Sequence, residues 1–310
     1  MGITRRGAIT TGGAVLAASL TASVPARRRG VVTFVFVTGA NGSAQADPEL
    51  ALRGHRTVAV ELPGHGPEAT QFTAAYQAPQ DLAALAAAPS PMAGITLADY
   101  VAATVAVVRR AARHGPVILV GGSMGGATIT GAANAVPELI DRLVYVSAFC
   151  CAKLRSIEEC LATPEARTSR FGAILPGAVG DPAKLGAVRI NWRTADRTFL
   201  NGVKQALMAD ASEAEFLAML NSSLPDDTLH VSGADARGRP GTWGRVPRTY
   251  IRHSRDACIP PALQDRMIRE ADELNPRNRF DVHTVAATHA PTRGAWGKIV
   301  EILDGLAKAL

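Results

Sequence analysis

The stretch "VILVGGSMGGATIT", residues 117–130, sets four glycines around one serine directly after four apolar residues. Glycine inside a strand or helix costs about 0.5–1 kcal/mol relative to alanine, so such a cluster marks a backbone with no room for side chains. Gly121-Gly122-Ser123-Met124-Gly125 fits G-x-S-x-G, the pattern in which a serine rides a sharp, strained turn from strand to helix. The residues two before and two after the serine must then be small, because strand and helix nearly touch. Gly126 carries the same clearance into the first helical turn. A phosphate-cradling loop is the competing reading of a glycine-rich turn. No G-x-x-x-x-G-K-[ST] run and no acidic residue placed to hold a ribose accompany this one, which weighs against it.

A serine hydroxyl is inert near neutral pH without a base, and the base needs an acid to orient it. In "YIRHSRDACIPP" (250–261), Asp256 follows a strand-like run and precedes a proline-started helix. In "VHTVAATHAPTRGAW" (282–296), His289 follows the last strand-like run and precedes the C-terminal helix. Both fall where an open α/β sheet gathers its sites, at the carboxyl ends of strands. His283 lies inside a strand and His253 precedes a polar turn, so both fit less well. Asp226 and Asp227 are the fallback acids. A tetrahedral intermediate also needs backbone donors. These are expected from Met124 N–H and from the loop "VTGANGSA" (37–44), at Ala40 N–H, with Gly39 and Gly42 letting that loop approach the serine.

Around these residues, short valine-rich runs alternate with helical periodicity. Runs at 31–39, 55–64, 115–122, 141–149, 247–254 and 279–287 are continuously apolar enough for strands covered on both faces. In the helix beginning near Thr96, Leu97, Val101, Val105 and Val108 form one apolar stripe, Thr96 and Asp99 make a capping box, and Gly115 ends the segment. Trp296, Ile299, Val300, Leu303, Leu306 and Leu310 share a face of the last helix. The expected fold is therefore α/β, a doubly wound, mostly parallel sheet. The rhythm breaks between about Cys151 and Arg245, where helical and then glycine-rich segments read as an inserted helical cap. The expected organisation is a core in two parts, 31–150 and 246–310, flanking a cap at 151–245. Apolar cap residues Phe199, Phe216, Leu217 and Leu220 either line an acyl pocket or pack the cap on the core.

The bulk composition supports a globular chain: 310 residues, 47% hydrophobic and 19% charged, with a formal charge of +6. Arginines are scattered and aromatics are only 5%, so a nucleic-acid surface is not expected. Residues 1–26 read as an export signal: Arg5-Arg6 precedes an apolar stretch closing on Val24-Pro25-Ala26, in the twin-arginine style. Cleavage there would remove two arginines and leave an exported protein of charge +4 with no stable membrane anchor. Cys150, Cys151, Cys160 and Cys258 form no C-x-x-C pair and read as small buried hydrophobes, with no metal site expected.

Together, "VTGANG", "ALRGHRTVAVELPGHG", "ITLADYVAATVAVV", "VILVGGSMGG", "RDACIP" and "ATHAP" make residues 31–310 resemble the α/β-hydrolase superfamily. Within it, the chain is most similar to small capped esterases, a group that includes plant methyl-esterase and hydroxynitrile-lyase-like enzymes. The resemblance implies the α/β-hydrolase fold, Ser123 as nucleophile, His289 as base, Asp256 as its partner, and Ala40 and Met124 as oxyanion donors. It implies a small-molecule ester or lactone substrate and no cofactor. Two histidines common in relatives are replaced, by Thr38 in the oxyanion loop and by Gly122 before the serine, and the loop after Gly42 lacks an aromatic. A lyase or C–C-cleaving enzyme on the same fold would want a further pocket group, for which Thr38 and Lys153 are the candidates. A non-catalytic homologue that binds a hydrophobic ligand is the remaining alternative.

Overall fold

The computed structural model describes residues 30–69 and 71–310. The expected export signal lies outside the described residues. The strands are β1 (Thr33–Val37), β2 (Arg56–Ala59), β3 (Val117–Ser123), β4 (Arg142–Ala148), β5 (Ala187–Arg189), β6 (Asp226–Thr228), β7 (Arg248–His253) and β8 (Asp281–Val285). Six of them form one sheet in the order β2-β1-β3-β4-β7-β8, with every neighbouring pair parallel. The helices up to the end of β4 are α1 (Pro48–Leu52), α2 (Leu82–Ala87), α3 (Leu97–Ala111) and α4 (Gly125–Ala135). The segment between β4 and β7 adds α5 (Ile157–Leu161), α6 (Pro182–Leu185), α7 (Arg197–Leu207) and α8 (Glu213–Ser222). Two more follow: α9 (Pro261–Leu274) and α10 (Arg293–Lys308).

Parallel strands bury both faces, and β3 shows how the sequence arranges it. Val117 and Leu119 join the cluster that packs α3, α4 and α9, while Ile118 and Val120 join Ile299, Val300 and Leu303 of α10 on the opposite face. Each strand thus needs apolar residues at successive positions, which is why the runs showed no alternation. The α3 capping box forms as expected: Thr96 Oγ1 accepts from Asp99 N–H, and the Asp99 carboxylate accepts from Thr96 N–H. α3 itself stops at Ala111, and the chain leaves through Gly115 at φ +144°, a conformation that favours glycine.

Sheet order decides where a site can sit. From β1 the chain steps outward to β2, then returns across β1 to β3. Loops after β1 and β3 therefore diverge and leave a crevice at the carboxyl ends of those strands.

Between β4 and β7 the helical segments are accompanied by a two-stranded sheet that the pattern did not show. β5 and β6 pair antiparallel, Ala187 with Thr228 through Arg189 with Asp226. Three-residue strands are too short to display a period of two. The pair is fastened by a buried ion pair: Arg189 Nε and Nη2 donate to the two Asp226 carboxylate oxygens at 2.6 and 2.7 Å. Ser90 Oγ donates to the same carboxylate at 2.6 Å. Such a pair is costly to break, because either partner left alone is an uncompensated buried charge. All four cysteines are free and buried, with Cys151 and Cys160 sulfurs 3.9 Å apart. Among the described residues, no helix is long and apolar enough to cross a membrane.

Candidate active site

The turn at the end of β3 places Ser123 at φ +51°, in the left-handed region that L-residues seldom occupy. Its neighbours explain why the chain there is glycine-rich. A Cβ at Gly121 would lie 2.9 Å from both the Gly125 carbonyl oxygen and Ile129 Cγ2. One at Gly125 would lie 2.6 Å from the Thr38 carbonyl oxygen, and one at Gly126 2.1 Å from that of Phe149. The β3–β4 register shifts between Gly122 and Ser123, skipping Ser147, whose φ is +39°. Two serines on adjacent strands thus leave the pleat together, and both point their hydroxyls toward the same group of residues.

His289 Nε2 lies 3.0 Å from Ser123 Oγ, and His289 Nδ1 lies 2.7 Å from Asp256 Oδ2. The Asp256 carboxylate is buried and fully engaged. Oδ1 accepts the Cys258 and Ile259 N–H groups at 2.7 and 2.8 Å, and Ser147 Oγ donates to Oδ2. Burial favours its neutral form, but the His289 charge, the hydrogen bonds from His289 and Ser147 and the backbone donors outweigh it. The Asp256 carboxyl is held below its ordinary value. Phe171 packs edge-on against the His289 ring at 5.6 Å and limits its rotation. Ser147 and Phe171 carried no signal in the sequence; each is one among many such residues, and only strand register and cap packing bring them here.

The loop after β1 approaches the serine from the other side. A Cβ at Gly39 would stand 2.7 Å from Ser123 Cβ, so only glycine fits. Among the described residues, neither Ala40 N–H nor Met124 N–H has a hydrogen-bond acceptor in the protein. The next residue, Asn41, anchors the loop to β6 and the chain before it. Its N–H donates to Asp227 Oδ2 at 2.6 Å, its side chain donates to Leu224 O at 2.9 Å, and its carbonyl accepts from Leu224 N–H at 2.8 Å. His65 Nδ1 donates to Gly42 O at 2.6 Å, and its Nε2 lies 2.7 Å from Tyr100 OH.

The remaining sequence candidates are elsewhere. Asp226 is bound to Arg189 and Asp227 to the Asn41 N–H, so neither fallback acid reaches His289. His283 pairs with Asp281. His253 is buried next to the site, with Nδ1 donating to Thr288 O at 2.9 Å and Nε2 unpartnered. Burial, with the neighbouring His289 adding to it against Asp256, pushes the His253 imidazole down to about 4. Lys153 pairs with Glu273 and does not line the cavity, whereas Thr38 does. One group of three possible metal-ligating atoms occurs among the described residues, on Asp256, Cys258 and His289. The carboxylate and the imidazole are already bonded to each other, and the Cys258 thiol donates to Ala206 O at 3.4 Å.

Ser123 and His289 open into a cavity of about 730 Å³, a size suited to drug-sized ligands. From the segment between β4 and β7, Phe171, Ile174, Trp192, Leu207 and Met219 line it. The four cap residues proposed from sequence do not line it. Phe199, Phe216 and Leu220 pack α7 against α8 in their own apolar cluster, and Leu217 faces outward. Helical periodicity identified apolar faces, but not which of them turned toward the cap interior.

An alpha/beta hydrolase family model matches residues 34–301. Among solved structures, a pyrethroid hydrolase from Sphingobium faniae JZ-2 superposes with a TM-score of 0.67 at 21% identity, covering 90% of this chain and 98% of that one. Polyneuridine aldehyde esterase gives 0.64 at 20% identity, with coverage of 89% and 99%. An extracellular alpha/beta-hydrolase from a Paenibacillus species gives 0.60 at 18%, with coverage of 88% and 97%. At these identities the likeness is one of fold. No curated protein sequence matches the chain.

Proposed function

Because the chain belongs to the alpha/beta hydrolase family, we propose that it cleaves a carboxylic ester or lactone through an acyl-enzyme on Ser123. One observation carries this reading: the unbroken relay from Ser123 Oγ through His289, at 3.0 Å and 2.7 Å, to a buried, ionised Asp256. His289 Nε2 takes the serine proton as Oγ attacks the carbonyl carbon. Asp256 fixes the tautomer with the proton on Nδ1 and stabilises the imidazolium that forms. The developing oxyanion is received by the N–H groups of Ala40 and Met124, donors with no competing acceptor. Collapse expels the alcohol, protonated by His289, and water reverses the sequence to release the acid.

The names of two fold neighbours, a pyrethroid hydrolase and an aldehyde esterase, are consistent with ester chemistry in this fold. Residues 1–26 supply the twin-arginine-like leader for an exported enzyme. Intact mass after treatment with a fluorophosphonate tests the mechanism directly. Wild type should gain a single adduct that Ser123→Ala does not, and the variant should lose ester turnover by about 10³-fold or more. Unchanged turnover in Ser123→Ala would overturn the assignment.

A further inference from the structure

Gly122 is the one glycine of the turn that the turn does not require. Side chains at Gly121, Gly125 and Gly126 would collide with backbone, as described above. At Gly122 the nearest atom to an added Cβ is Val146 O at 3.8 Å, an ordinary contact, and its φ lies outside the left-handed region. Strand alternation aims this position at the α10 face of the sheet, the face of Ile118 and Val120. On that face the carboxyl ends of four neighbouring strands supply Phe36, Val120, Val146 and His253, and α10 supplies Trp296. All five line the same cavity as Ser123. Trp296 is a fixed wall, since its indole N–H donates to Asp47 Oδ2 at 2.6 Å and its ring lies 6.5 Å from Phe36. The cavity therefore continues from the cap, past the nucleophile, to the opposite side of the sheet.

We propose that this rear extension is a second substrate subsite, that the missing side chain at Gly122 opens it, and that it seats an apolar group on one side of the scissile ester. The cap-side walls take the other group. An ester carbonyl held at Ser123 sends its acyl and alkoxy groups in different directions. A site open on one side only demands one small group, whereas this one accepts a sizeable apolar group on each. The proposal rests on the serine-hydrolase reading for its chemistry; Phe36, Val120, Val146 and Trp296 are the apolar walls, beside His253, which burial keeps uncharged, and Asp47, which holds the indole.

The test compares wild type with Gly122→Leu on methyl acetate and on benzyl phenylacetate, followed by titration of released acid. Leucine should lower kcat/KM for benzyl phenylacetate by about tenfold or more, mainly through KM, as expected for filling an apolar pocket. Methyl acetate turnover and the rate of labelling by a small fluorophosphonate should stay within about threefold. Equal losses on both esters, or none on either, would overturn the subsite. If leucine prevents folding, Gly122→Ala replaces it and should show the same ordering with a smaller effect, about threefold. Absence of labelling and of all turnover in wild type would instead overturn the hydrolase reading. The subsite is then decided by calorimetric binding of N-benzyl phenylacetamide, an unreactive isostere, to Ser123→Ala and to the Ser123→Ala/Gly122→Leu double variant. Binding weakened about tenfold by leucine supports it, and equal or absent binding in both overturns it.

Discussion

At the scale of single residues, the glycines of one turn divide by what stands beside them. Gly126 faces a carbonyl oxygen at 2.1 Å from its would-be Cβ, and backbone cannot yield cheaply. Gly126→Ala should destabilise the protein by about 1–3 kcal/mol, while Gly122→Ala should change stability by less than about 0.5 kcal/mol. Urea unfolding of the two variants checks the contrast, and equal effects would mean that the turn can relax. The need for small residues around Ser123 was legible in "GGSMGG". Which of the four glycines was dispensable was not, because that depends on the Thr38, Val146 and Phe149 carbonyls, brought in by β4 and by the residues that follow β1 and β4.

At the scale of elements, the ends of β7 and β8 and the start of α9 form one acid-sensitive unit. His253 closes β7, its backbone N–H donates to Gln264 of α9, and its ring is held beside Asp256 and His289. A histidine depressed from 6.5 to about 4 on folding binds its proton more readily when unfolded. Between those two pH values the unfolded chain holds more protons, so stability falls as pH drops, by about 1.4 kcal/mol per unit and about 3 kcal/mol in all. Asp256, with its carboxyl lowered, adds a loss only at lower pH, once pH passes below the ordinary carboxylate value of 3.8. Urea unfolding from pH 7 to 4 should show this slope in wild type, and a flatter curve in His253→Asn. A parallel pair of curves would remove His253 as the cause. The six strands of the main sheet were visible as valine-rich runs. The β5–β6 pair was not, since three residues of each strand carry no pattern and the buried Arg189–Asp226 contact spans 37 positions.

At the scale of the whole molecule, the segment between β4 and β7 is laced to the β1 loop instead of resting on it. Asp227 accepts the Asn41 N–H, Tyr100 OH reaches Asp227 Oδ1 at 3.5 Å, and His65 links Tyr100 to Gly42. Burial pushes the Asp227 carboxyl up, against the lowering influence of His65 and the Asn41 and Thr228 N–H donors. Because Asn41 follows Ala40 directly, loosening this anchor should misplace the proposed oxyanion donor, Ala40 N–H, without touching the apolar walls. Asp227→Ala is expected to lower kcat by about 10–100-fold, less than outright loss of a donor, with KM changed by less than about threefold. Asp227→Asn, which keeps one acceptor, should retain most of the activity. A change confined to KM would assign Asp227 to substrate binding instead.

What the sequence by itself determined is what local chemistry can encode: the strand runs, the α3 cap, the glycine-lined turn, and the serine, aspartate and histidine, in chain order, that the proposed mechanism uses. The tertiary structure decided which side chains met. Ser147 and Phe171 came to the Asp256–His289 pair, Asp227 became an anchor for the β1 loop, and Phe199, Phe216 and Leu220 packed on one another while Leu217 stayed outside. It also left the space behind Gly122 open. Propensity and patterning act over a few neighbouring residues, whereas these contacts depend on strand order, on a one-residue shift in register, and on the packing of elements far apart in the chain.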